Sequence, residues 1–64
     1  MIRIIGKEKR EIPLEKAASV GEIAEKLGIS SVKFVFLLNG NPVTSDKIVN
    51  PEDELVFMEA FSGG

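Results

Sequence analysis

Only one segment of the chain, "SVGEIAEKLGI", has a helical period, and it is closed at both ends. Ser19 and Glu22 stand in the S-x-x-E arrangement, where a hydroxyl accepts one free N–H of the first turn and the carboxylate reaches back to another. Val20, Ile23, Ala24 and Leu27 recur at i, i+3, i+4 and i+7, a single apolar stripe. Glu22 near the start and Lys26 near the end suit the helix dipole and pair across one turn. Gly28 supplies a left-handed stop, with Ile29 expected to fold back beyond it. A helix this short with one apolar face has to cover something.

The rest of the chain predicts a sheet. "IRII" alternates, "GKEKR" is a polar turn, and "EIPL" resumes a spacing of two, so the first fourteen residues form a hairpin. Pro13 cannot donate to a ladder, which puts the second strand at an edge. "VKFVFLL" is branched and aromatic and runs into Asn39-Gly40, the strongest short hairpin signal, with "NPV" as a brief return strand. "TSDKIVNPEDE" is a polar, turn-rich connector with room for one helical turn, and "ELVFMEAF" is the last strand. A right-handed crossover over the helix keeps the later strands in the same sheet. The economical result is an α+β domain of the β-grasp type. A mixed sheet of four to five strands carries one helix across one face, with the final strand inserted beside the first. Residues 1–60 are then the domain, and residues 61–64 a flexible C-terminal tail ending in Gly-Gly.

Alternation assigns the two faces. Ile2, Ile4, Ile12, Leu14, Phe34, Phe36, Leu38, Leu55 and Phe57 lie under the helix, against Val20, Ile23 and Leu27. The opposite face carries Arg3, Ile5, Val35, Leu37, Val56, Met58 and Ala60. So many apolar residues on an open face exceed scattered exposure, and Ile5, Val35, Leu37, Val56, Met58 and Ala60 are assigned as a partner interface. A covering loop or self-association are the competing accounts.

Composition excludes much else. With no cysteine there is no disulfide or thiolate metal site, and with no histidine the usual general base is missing. No metal site and no catalytic residues are expected, and the chain is not expected to be an enzyme. Ser19 is a cap rather than a nucleophile, because no base accompanies it. Asp46, Glu52, Asp53 and Glu54 lack the ligand spacing of a calcium loop and belong to a solvated turn. A net charge of −2 argues against nucleic acid as a partner. The longest apolar run, "FVFLL", is far short of a membrane span, and "MIRIIGKEK" is not a secretory leader, so a cytoplasmic location is expected.

The length, the order of elements, "LLNGNPV", and "PEDELVFMEAFSGG" with its closing Gly-Gly resemble the ThiS/MoaD group of sulfur carriers, ubiquitin-like β-grasp proteins that include archaeal small modifiers. The resemblance implies that the carboxylate of Gly64 is the functional group and that Phe61, Ser62, Gly63 and Gly64 are the tail that presents it. It implies an E1-like enzyme that spends ATP to adenylate that carboxylate, and a sulfur donor that converts the adenylate to a thiocarboxylate. No bound cofactor is implied. The sulfur acceptor would be a thiazole synthase, the large subunit of molybdopterin synthase or a tRNA thiolation enzyme. The alternative is a ubiquitin-like modifier joined through Gly64 to target lysines. A third account, of another class, is a β-grasp protein-binding module. Relatives often carry Asp-Gly-Asp before the last strand, where this chain has "NPEDE".

Overall fold

The computed structural model describes residues 1–60. The first hairpin consists of β1 (Ile2–Ile5) and β2 (Lys9–Ile12), paired antiparallel from Ile2 opposite Ile12 to Ile5 opposite Lys9. The turn is therefore shorter than "GKEKR" suggests, and Lys9 and Arg10 are strand residues. The strand does not run through Pro13 as expected, because β1 begins at Ile2 and leaves Pro13 no partner.

A two-residue strand, β3 (Ala18–Ser19), leads directly into α1 (Val20–Leu27). The Ser19 hydroxyl accepts from the Glu22 N–H at 3.1 Å, and the Ser19 N–H donates to the Glu22 carboxylate at 3.1 Å, which completes the capping box. At the other end Gly28 has φ +70°. Its N–H donates to Glu25 O at 3.2 Å and that of Ile29 to Ala24 O at 2.8 Å, the paired bonds of a Schellman cap.

β4 (Phe34–Leu38) turns at Asn39 (φ 50°) and Gly40 (φ +87°) into β5 (Asn41–Pro42). Positive φ at both central residues is the two-residue turn that matches strand twist, and Asn-Gly tolerates it best. After β6 (Ile48–Val49) the chain reaches β7 (Leu55–Glu59). The main sheet has the order β2-β1-β7-β4-β5, with β7 parallel to β1 and antiparallel to β4. This five-stranded mixed sheet with one helix is the β-grasp fold, with the last strand at its centre.

The connector holds no helical turn. Its Ile48 and Val49 pair with β3 in a separate two-stranded sheet. The carbonyls of Ser45 and Lys47 accept the N–H groups of Gly21 and Val20 at 2.8 and 2.9 Å. Those donors open the helix and have no partner inside it. The connector backbone is thus committed to the helix start. "NPEDE" closes as a β-turn with Pro51 in its second position, and the Asp53 N–H donates to Asn50 O at 2.9 Å.

Val20, Val49, Leu55 and Phe57 are completely buried, and Phe36 meets Phe57 edge-to-face with ring centroids 5.3 Å apart. Val49 was not expected in the core. Ile12, Leu14, Leu27 and Phe34 are only half-buried and pack against the margin of this core.

A domain of this length has a stability on the order of 3–10 kcal/mol. Phe57→Ala should cost about 3–5 kcal/mol. Urea titration followed by circular dichroism is expected to show the variant unfolded or barely folded. Val35→Ala, on the opposite face, is expected to cost about 1 kcal/mol or less.

Candidate functional site

Because β7 is flanked on both sides, its outward residues lie at the middle of the exposed sheet face. The register lines up Ile5, Met58 and Val35 in one row and Arg3, Val56 and Leu37 in the next. Val35 and Met58 are 42% and 40% exposed, so no described segment lies across them. Ile5, Leu37 and Val56 are half-buried among these neighbours. Ala60 is exposed just past β7, and its N–H donates to Lys33 O at 2.7 Å. The residues assigned from sequence as an interface therefore share one face, which ends at Ala60. Phe61, Ser62, Gly63 and Gly64 lie outside the described residues.

Polar side chains bound this patch. Arg3 is held between Glu11 and Glu54, at 3.4 Å from each carboxylate. All three are exposed, so the pairs add little stability but fix where the guanidinium stands.

The acidic turn residues are occupied with local structure at the opposite end from Ala60. Asp53 accepts the Asn50 N–H at 2.9 Å and the Asn39 amide at 3.2 Å, while Asn39 accepts the Glu54 N–H at 2.9 Å. The amino group of Met1 donates to Asp53 O at 2.8 Å. The Asn50 N–H, and then the Asn39 amide, hold the Asp53 carboxyl below its ordinary range. The Thr44 hydroxyl does the same for Asp46, and the Ser19 N–H for Glu22. Among the described residues no group of acidic side chains is arranged to hold a metal ion, and no polar or charged residue is buried.

Glu59 is a residue that the sequence reasoning left unplaced. It follows Leu55 and Phe57 at spacing two, lies opposite Phe34, and turns toward the helix side, where it is half-buried. Its carboxylate lies over Gly6, where an added Cβ would stand 2.7 Å from Oε1. Lys7, Arg10, Ile4 and Phe34 line the same groove, of about 370 Å³. Continuing the strand period past Phe57 would have found it.

The ThiS family model matches residues 2–64, which is nearly the whole chain. This chain belongs to the ThiS family. No curated protein matches it. ThiS-family proteins are small β-grasp sulfur carriers, which work with E1-like enzymes and sulfur-transfer partners and are not catalysts themselves. No helix of the described residues is long and apolar enough to cross a membrane.

The lowered Asp53 pKa has a defined consequence for stability. A carboxyl depressed in the folded state stabilises above its unfolded value, about 3.9, and loses that contribution as pH falls through the folded value. Asp53→Asn is therefore expected to be less stable than the parent at neutral pH. The difference should close as pH is lowered below about 4. Thermal melts across an acid pH series check this.

Proposed function

We propose that this ThiS-family chain carries sulfur on the carboxylate of Gly64. The observation that carries the proposal is a sulfur-carrier family match that extends through residue 64. A carboxylate is a poor electrophile until it bears a leaving group. In this reading an E1-like enzyme supplies one: the Gly64 carboxylate attacks the α-phosphorus of ATP, and pyrophosphate leaves. Hydrosulfide supplied by the donor then attacks the acyl carbon, AMP leaves and a proton is lost, giving the thiocarboxylate, which a sulfur-inserting enzyme consumes. ATP belongs to the activating enzyme, and the carrier contributes only the group and its delivery.

The chemistry of the tail supports this. Gly63 and Gly64 lack a Cβ and can pass through a narrow channel in backbone conformations barred to other residues. The four residues after Ala60 span at most about 14 Å when extended. An activating centre must then lie close to where β7 ends, and the adjacent apolar face of Ile5, Val35, Leu37, Val56 and Met58 is the docking surface in this proposal. Met58, with its flexible thioether, suits a face that meets more than one partner in turn.

The chain is incubated with ATP, its activating enzyme and a sulfur source, and intact mass is measured. Exchange of one oxygen for sulfur at Gly64 is expected, and no mass change would overturn the proposal. Glycine-remnant adducts on target lysines in cells, without any thiocarboxylate, would favour the modifier instead. Deletion of Gly63 and Gly64 is expected to leave the thermal melt nearly unchanged and abolish activation. Met58→Asp is expected to keep the fold and weaken activation by a rise in KM, measured by pyrophosphate release.

A further inference from the structure

The sheet axis separates charge as well as direction. Lys7 stands in the β1–β2 turn, Lys9 is opposite Ile5, and Arg10 is opposite Ile4. Ile4 and Ile5 in turn face Phe57 and Met58, so all three cations gather at the end of the sheet where β7 finishes. Lys33 approaches from the other side, and its carbonyl holds the Ala60 N–H. All four side chains are exposed, and no ion pair among the described residues involves them. Two carboxylates share this end, Glu8 in the turn and Glu59, and Glu59 is turned inward against Gly6. The far end carries Asp46 before β6 and Glu52, Asp53 and Glu54 after it, with Lys47, the Met1 amino group on Asp53 O and Arg3 on Glu54 as the cations among them. A chain of net charge −2 thus gathers four cations unpaired among the described residues around Ala60, while the carboxylates at the opposite end have cations among them.

We propose that Lys7, Lys9, Arg10 and Lys33 form a collar that steers the chain, tail first, onto a partner protein whose tail-receiving mouth is acidic. This deepens the carrier proposal and rests on it, since the partner in question is the activating enzyme. A separated charge distribution orients a protein in the field of its partner before contact and raises the rate of productive encounter. The partner's chemistry follows from what adjoins the collar. Ile5, Val35 and Met58 begin immediately beside it and offer apolar surface that a phosphate backbone has no use for. The acidic pole would be repelled along a nucleic acid. An acidic rim around an apolar floor fits both features, and that is a protein surface.

The test uses the full chain and its cognate E1-like enzyme, with association followed by stopped-flow fluorescence over a salt series. The parent rate is expected to fall as salt rises and screens exposed charges beyond about 10 Å. Lys7→Glu, Lys9→Glu and Lys33→Glu combined should keep the fold, because all three side chains are exposed. Its association at low salt should slow roughly tenfold or more, with a flattened or inverted salt response. The loss is expected in KM rather than in kcat, and the matching triple Gln variant should fall between the two. Equal rates and equal salt responses for parent and reversed variant would overturn the collar while leaving a normally thiocarboxylated parent intact as a carrier. Tight, collar-dependent binding of the parent to an RNA oligonucleotide, with no salt effect on enzyme association, would assign the charges to nucleic acid instead. A parent that gains no sulfur at all would remove the carrier proposal and the collar's partner together.

Discussion

The pairing of β7 between β1 and β4 organises the whole molecule. A strand hydrogen-bonded on both sides cannot be added last at no consequence to the rest, because it fixes the spacing of its two neighbours. Its pairing with β1 is parallel, and parallel strands cannot be joined by a tight turn. The intervening chain has to climb out of the sheet and return. The helix, β4, β5 and the connector fill that detour, and the helix covers the face on which Leu55 and Phe57 are buried. The antiparallel pairing with β4 completes the arrangement and brings Phe36 edge-on to Phe57.

Alternation along one strand then separates two tasks. Leu55 and Phe57 point into the core, and Val56 and Met58 point away from it. The side chains that hold the domain together are distinct from those that face outward, although they are neighbours in sequence. A change on the outer face alters what the sheet presents with little effect on packing, whereas a change one residue along threatens the fold. Glu59 departs from this division. It continues the inward series but lies beyond the end of the helix's cover, where a carboxylate keeps access to water.

Much of this was legible before any coordinates. The capping box, the Gly28 stop and the Asn39-Gly40 turn each have a local cause, so a few residues suffice to specify them. The two faces were legible because period two needs no tertiary information. The β3–β6 pair was not: two-residue strands have no period to detect, and their pairing depends on where the helix start comes to rest. Val49 escaped notice for the same reason, since two apolar residues in a polar connector give no sign of which one will join the core. The rim residues Ile12, Leu14, Leu27 and Phe34 show the converse limit. Pattern gives the direction of a side chain, but not how completely its neighbours will cover it. Near β7, period two puts Ile5, Val35, Leu37, Val56 and Met58 on one face, while the gathering of cations needed the sheet order, which brings Lys33 and the β1–β2 turn to the same end.

Among its described residues the body buries no polar or charged residue. Catalytic groups in a domain this small would need burial or strain to shift their reactivity, and either would draw on a stability of only a few kcal/mol. In the carrier reading proposed above, the functional group lies beyond the last strand, which removes that conflict. The domain then has to do two things: keep the end of β7 in a fixed place, and present a surface that a partner can recognise. The first rests on the central strand and on the bond between Ala60 and Lys33. The second rests on the outer face and the charges beside it. Since neither requires a desolvated charge, the core can be wholly apolar, and a chain of 64 residues can fold without disulfide or metal.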